Sequence, residues 1–369
     1  MPEMRQCLAI LLTLIPLAGT TSSCSPSDAG ARCETNSNCA ASQFCAAGRC
    51  ASGGLVHTLL GDKEFRKATF SRQASVLGAK CCRRSYEDTS VEPHVWRYDG
   101  DVILWSNDTW QEMGRIELRA LENDISTIAL SPDGALVAIG VGPDILLCDT
   151  GTQALVRTIQ AGDSSHLAFS PDGSKLASGG GVWNVADGSL LWELELDGCT
   201  IVQEESSHGL AYAGGGQMLA ALLHDEATRK RSIKLWQAED GIEVMDIQAG
   251  SSWIHCLTAS NDHMAAAAIR SIKLWNVDDG SEMPALGADA HQDDLKAVRI
   301  SRDGALVASG TSDGEGHIRI WDVRTGEHLA TFETGSGVWD LDFSSDRRFI
   351  AGASMWESGI LIYDIEALE

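Results

Sequence analysis

Leu167-Ala-Phe-Ser-Pro-Asp-Gly-Ser-Lys-Leu176-Ala-Ser reads as an apolar strand, a Ser-Pro-Asp-Gly turn and a second apolar strand. Ile128-Ala-Leu-Ser-Pro-Asp-Gly-Ala-Leu-Val137-Ala is a near copy of it. Weaker copies begin at Ala68, Leu210, Leu257, Val298 and Leu341. The turns fall at positions 71, 131, 170, 213, 260, 301 and 344, so the intervals are 60, 39, 43, 47, 41 and 43 residues. That is seven units of one repeat, the first of them overlong.

Each unit carries a second anchor, an alternating strand that ends in an aromatic and a polar residue. Ile318-Arg-Ile-Trp321-Asp322, Ile233-Lys-Leu-Trp236-Gln237, Ile272-Lys-Leu-Trp275-Asn276, Val102-Ile-Leu-Trp105-Ser106 and Ile360-Leu-Ile-Tyr363-Asp364 are the clear cases. Cys148-Asp149 and Gly181-Val-Trp183-Asn184 deviate. A turn such as Ala238-Glu-Asp-Gly241 or Val277-Asp-Asp-Gly280 then leads into another short strand, and Asp-Gly between alternating strands signals a hairpin. Four antiparallel strands in about 40 to 45 residues make one propeller blade.

On these two anchors the chain resembles the WD40 repeat family over residues 53–369. The fold expected is all-β, a seven-bladed WD40-type β-propeller. A lone four-stranded blade cannot bury both faces, so the aromatic of the third strand fills the space against its neighbour. The resemblance also implies a buried hydrogen-bonded set of His, Ser or Thr, Asp and Trp. Only one unit supplies it, as His291, Ser309, Asp313 and Trp321. The last unit stops after its third strand, and Leu55-Val-His-Thr-Leu-Leu60 resembles a fourth strand such as Leu155-Val-Arg-Thr-Ile159. Pairing the two closes the ring and removes both open edges.

Ahead of the repeats, Leu8 to Gly19 is an apolar run of 12 residues after Arg5, too short for a bilayer span and the right length for the core of a signal peptide. Residues 1–23 are expected as a signal peptide. Cys24, after Thr21-Ser22-Ser23, resembles the lipidated cysteine of bacterial lipoproteins, although Thr21 stands where such signals usually carry Leu. The chain is thus expected to be exported, as an envelope lipoprotein or as a secreted or periplasmic protein, touching a membrane only through that lipid. Residues 24–52 hold Cys33, Cys39, Cys45 and Cys50, too short a stretch to bury a core. Two disulfides are the natural staple, in any of three pairings. This segment is expected to act as a spacer that packs little against the disc.

Composition restricts partners. Lys plus Arg number 28 and Asp plus Glu 52, a net charge of −24, so the surface repels nucleic acid. Hydrophobic residues at 44% exclude wholesale disorder, and 37 glycines without a triplet period point to many turns rather than collagen.

Chemical motifs are sparse. Gly310-Thr-Ser312-Asp-Gly314 fits Gly-x-Ser-x-Gly, but the hydrolase serine needs a strand-to-helix turn and this one lies between strands. No dinucleotide or phosphate-binding loop is present, the ten His show no zinc spacing, and Asp278-Asp279 and Asp293-Asp294 lack the spacing of a calcium loop. Asn107-Asp-Thr109 is a sequon, meaningful only in a eukaryotic host. No cofactor and no resident metal are expected.

A noncatalytic scaffold for a protein or peptide is what the resemblance implies. A propeller enzyme, hydrolase or quinone-dependent dehydrogenase, and a calcium or ligand sensor at the channel mouth are the alternatives, since fold alone does not choose. Aligned first strands put Arg66, Ser126, Ser165, His208, His255, Lys296 and Trp339 in one column. Arg66, His208, His255, Lys296 and Trp339 are expected as binding residues, an aromatic among cations suited to an acidic or aromatic peptide. The extra length of the first unit, residues 80–100 with Cys81, Cys82 and Trp96, is expected as a loop contacting a partner.

Overall fold

The computed structural model describes residues 43–46, 49–52, 54–60, 65–90, 95–202, 208–250, 254–287, 291, 293–311, 316–354 and 359–368. Seven antiparallel sheets, numbered here as blades one to seven in chain order, form a β-propeller. Within a blade the strands are called first to fourth. The first strands of successive blades contact one another around the ring and so wall the central channel.

Blade two shows how sequence makes a blade. Its strands Ile125–Leu130, Leu136–Val141, Asp144–Asp149 and Leu155–Gln160 are in register through Ile128 opposite Ile139, Ile139 opposite Leu146 and Leu146 opposite Thr158. The first two strands are almost wholly buried and the fourth mostly exposed. Inner strands read as near-continuous apolar runs because neighbouring blades cover both of their faces. The fourth strand keeps one wet face and reads as an alternation.

The core is accordingly divided into seven clusters, each shared by two adjacent blades. Trp236 and Trp275 are almost fully buried in two of them. A buried Trp removes about 150–250 Å² from water, which at ~25 cal/mol per Å² contributes up to roughly 4–6 kcal/mol. Blade two has Cys148 in the aromatic position and fills the space with Ile125, Ile128 and Ile139 instead.

The turn between first and second strands owes its shape to its side chains. In blades two, three and six the hydroxyls of Ser131, Ser170 and Ser301 donate to Asp133, Asp172 and Asp303 at 2.5–2.6 Å. The same hydroxyls accept the amides of Leu136, Lys175 and Leu306 at 2.9 Å. Gly134, Gly173 and Gly304 take φ of +70° to +75° in these turns, the left-handed region that costs glycine least.

Gly54–Leu60 is the fourth strand of blade seven, antiparallel to Gly359–Asp364 with Thr58 opposite Leu361 and Leu59 opposite Ile360. The ring closes as its sequence indicates. Blade four departs from the others: its inner edge is split into Thr200–Ile201 and Leu210–Ala213, both paired to Met218–Asp225.

The extra residues of blade one are not a loop. They lengthen the second and third strands to Val76–Asp88 and Val95–Ser106, 13 and 12 residues against six in blade two. Pairing runs from Val76 opposite Ser106, through a shift between Cys81 and Arg84, to Glu87 opposite Trp96. Phe65, the start of the first strand, faces Cys81, so the hairpin rises beyond the level at which first strands begin.

The cysteine-rich segment also differs from expectation. Gln43–Ala46 and Arg49–Ser52 form a hairpin with Cys45 opposite Cys50. Instead of standing clear of the disc, it joins the fourth strand of blade six through Ala46 opposite Ala330. The free edge of that strand offers unpaired backbone groups, and the hairpin takes them. Residues 1–23, Cys24, Cys33, Cys39, Ser312 and Asp313 lie outside the described residues, and Cys45 and Cys50 are described by backbone alone. Cys148 and Cys256 are buried free thiols, Cys199 is half-buried and free, and Cys81 is disulfide-bonded.

Candidate functional site

The two ends of the channel are chemically different. At the end where first strands begin, Arg66 places its guanidinium 5.3 Å from the ring centroid of Trp339, joining blades one and seven by a cation–π contact. Lys296 is half-buried and His255 is buried. Ser126 and Ser165 are turned to local partners, Ser164 O at 3.0 Å and Asp163 Oδ1 at 2.6 Å.

His208 belongs elsewhere. Its Nδ1 is 3.1 Å from Lys67 Nζ and its Nε2 is 3.2 Å from Asp340 Oδ1. Asp340 is 1% exposed and also accepts from Arg299 at 3.0 Å and from the Ala68 amide at 3.3 Å. Asp342 accepts from the Phe70 amide at 2.8 Å and from Thr69 Oγ1 at 3.1 Å, with Arg299 Nε at 3.8 Å. The column of expected binding residues is therefore divided: Arg66 and Trp339 come together, while His208 joins a buried ionic set.

Burial governs the charges of that set. It lowers Lys67 to about 7, against the pull of Asp340, and raises Asp340 against the pull of Arg299 and Lys67. Burial likewise raises Asp342 and, with Arg299 and Lys67, pushes His208 well below its ordinary value. Nearby His166 is lowered to about 4, chiefly by burial. Its Nδ1 accepts the Gly209 amide at 3.2 Å, so Nε2 carries the proton, and that atom has no hydrogen-bond partner. Lys67, Arg299, Asp340 and Asp342 were not among the expected site residues. The signal for them is their presence inside first strands: Arg299 and Asp342 stand where other blades put Ala129, Ala168 and Ala211, and Lys67 and Asp340 where they put Thr127, His166 and Gly209.

The other end of the channel, where the first-to-second turns lie, holds a cavity of about 150 Å³ bordered by Arg72, Tyr212, Arg299, Arg302 and Asp342 among others.

Blade six contains three of the four residues of the expected hydrogen-bonded set. Trp321 Nε1 donates to Ser309 Oγ at 3.1 Å, and Ser309 Oγ lies 3.1 Å from His291 Nε2. Arg319 donates to His291 Nδ1 at 2.6 Å, which leaves Nε2 to carry the ring proton. Ser309 and His291 resemble a nucleophile and its base, but they are 0% and 3% exposed and the serine oxygen holds a tryptophan N–H. A substrate has no approach, so the pair braces the blade. Blade three keeps half of this arrangement, Trp183 Nε1 donating to Ser178 Oγ at 3.0 Å.

Other motifs resolve into local structure. Asp279 accepts both the amide and the hydroxyl of Ser281, a turn rather than a cation ligand. Asn107 of the sequon is buried, unsuited to carrying a glycan.

With this geometry in view, the comparisons with known proteins are specific. The family "WD domain, G-beta repeat" matches residues 286–322 and 326–364. These two segments are WD40 repeats. The second takes in the fourth strand of blade six and the first three strands of blade seven, the offset that leaves Gly54–Leu60 to complete the ring. The chain is 23% identical over 257 residues, 68% of its length, to "Cell division cycle 20.1, cofactor of APC complex" of Arabidopsis thaliana, covering 47% of that protein. It is 38% identical over 77 residues, 21% of its length, to "Small ribosomal subunit protein RACK1" of Medicago sativa, covering 22% of that protein. A 73-residue stretch, 19% of the chain, is 36% identical to "Autophagy-related protein 18" of Komagataella pastoris, covering 13% of it. The chain thus spans about half or less of these WD40-containing relatives.

Proposed function

We propose that this propeller is a noncatalytic scaffold that captures a protein or peptide on the face where its first strands begin. The observation that carries the reading is Trp96. It is 58% exposed on the lengthened hairpin of blade one, and Tyr86 on the facing strand is 42% exposed. Large exposed aromatics are enriched among the side chains that anchor protein interfaces. The hairpin rises on the same face as the Arg66–Trp339 pair and from the blade that carries Arg66. Names of the relatives support the reading, one being a cofactor of a complex and another a ribosomal subunit protein. The buried Ser309–His291 pair speaks against hydrolysis there.

Export completes the proposal: the signal-like segment 1–23 places the disc outside the cytoplasm, and Cys24 carries the lipid. A disulfide at Cys81 suits an oxidising compartment. Full-length chain expressed with and without Cys24→Ser tests the anchor, since wild type should sediment with membranes and the variant should not. Partner capture by full-length chain carrying Trp96→Ala tests the face. Capture equal to wild type rules that face out.

A further inference from the structure

The cavity at the opposite end of the channel exists because its wall is uneven. Three blades contribute only methyl groups at the channel-lining position of the first strand, Ala129, Ala168 and Ala211, while blades six and seven contribute Arg299 and Asp342. Small residues on one side leave the space, and charged ones on the other give it a sign. Two further arginines reach it from the turns: Arg72 and Arg302 occupy the place that Pro132 and Pro171 take in blades two and three. Arg302 NH1 donates to the Arg72 carbonyl at 3.0 Å, which ties the two turns together across blade seven.

The charges do not balance. Arg299 is matched by Asp340 at 3.0 Å and by Asp342 at 3.8 Å. Arg72 and Arg302 form no ion pair among the described residues, although the chain as a whole carries −24. Tyr212, at the cavity's edge, has a buried hydroxyl without any hydrogen-bond partner. Two guanidinium groups with no carboxylate in salt-bridge contact, Arg72 sharing only the field of Asp342 with Arg299, stand beside a buried hydroxyl that lacks a partner, and an anion would satisfy all three.

We propose that this cavity binds a small oxyanion, a phosphate or a carboxylate group, held by Arg72 and Arg302 with the Tyr212 hydroxyl in reach. Size sets the class. A cavity of about 150 Å³ far exceeds the ~10–15 Å³ that one water needs, but falls short of the roughly 300–1,000 Å³ of pockets for drug-sized molecules. It admits an anionic group rather than a nucleotide or a quinone. The site lies on the face away from Trp96, so it is separate from the proposed capture surface.

Calorimetric titration of the full chain with inorganic phosphate and with malonate, at ionic strength matched with sodium chloride, tests the site and distinguishes its two sources. Saturable heat with phosphate alone assigns a phosphate site, and heat with malonate alone a carboxylate site. Arg72→Gln combined with Arg302→Gln is expected to weaken the bound anion at least tenfold, and Leu155→Ala, on the exposed outer strand of blade two, to leave it unchanged. If the double variant does not fold, Arg302→Gln alone, at an exposed turn position, gives the same reading. Neither anion exceeding chloride, or equal binding by the arginine variants, overturns the proposal. Loss of partner capture in Trp96→Ala has no bearing on it.

Discussion

Arg66 lies over the ring of Trp339, 5.3 Å from its centroid, although 273 positions separate them in the chain. The contact exists because blade seven is completed by the strand that leads into blade one, which sets the first strands of the two blades side by side. Closure of the ring and composition of its upper face are thus one event.

Closure has a direct stability test. Leu59 is 7% exposed and packs with Ile360 and Ile362, whereas Leu55 in the same strand is 51% exposed. Leu59→Ala should cost about 2–5 kcal/mol and Leu55→Ala less than about 0.5. Deleting residues 55–60 should lower the melting temperature sharply. Urea midpoints for the two point variants that coincide would contradict the role given to this strand.

Blade six predicts a polar penalty. Ser309→Ala strips the acceptor from Trp321 Nε1 and the partner from His291 Nε2, both buried. A loss of about 1–3 kcal/mol per orphaned group is expected. Ser178→Ala strips the acceptor from Trp183 Nε1 and from the Gly180 amide and the donor from the Gly181 carbonyl, so a loss of the same order is expected. Chemical denaturation of both variants provides the comparison.

His166 makes stability sensitive to acid. Its folded pKa of about 4 is below the ordinary 6.5, so the unfolded chain binds the proton first as pH falls. The contribution is present above pH 6.5 and is lost progressively toward pH 4, up to about 3 kcal/mol. Asp340 and Asp342, with raised values, act in the opposite sense, so the comparison must isolate the histidine. The stability gap between wild type and His166→Asn should shrink from pH 7 to pH 4. A gap independent of pH would show that the ring is not held neutral.

Thiol accessibility follows burial. Cys148 and Cys256 should resist labelling in the folded state, because cysteine there acts as a small hydrophobe. Cys199, half-buried, should label slowly, since burial and Asp225 raise its thiol. Rapid modification of Cys256 in folded protein would mean that blade five opens.

The blades were legible because a propeller repeats one local problem seven times, and each solution leaves the same turn and the same aromatic. Leu167 to Ser178 alone reveals the unit. The ring's closure was legible too, since Leu55 to Leu60 is a fourth strand without a blade. The channel was not. Arg66 and Lys67 are adjacent in sequence, yet one stacks on Trp339 and the other is buried against His208 and within the field of Asp340. Which of two neighbouring charges faces inward depends on the register of each first strand, and bulges at Phe65/Lys67 and Val338/Asp340 shift that register. Alternation alone does not locate a bulge. The hairpin of blade one reads as a loop in sequence for a related reason: its added residues continue the pairing, and length alone does not tell a loop from a longer strand.

Partner capture by the double variant Trp96→Ala/Trp339→Ala, measured alongside its melting temperature, tests the central claim most directly. Both side chains lie on the face where the first strands begin, and Trp96 is 58% exposed. The account predicts loss of capture by a variant that still folds, its melting temperature lowered only by the packing that Trp339 gives the core shared by blades one and seven. Undiminished capture by a folded double variant would contradict it and assign the contact to another surface.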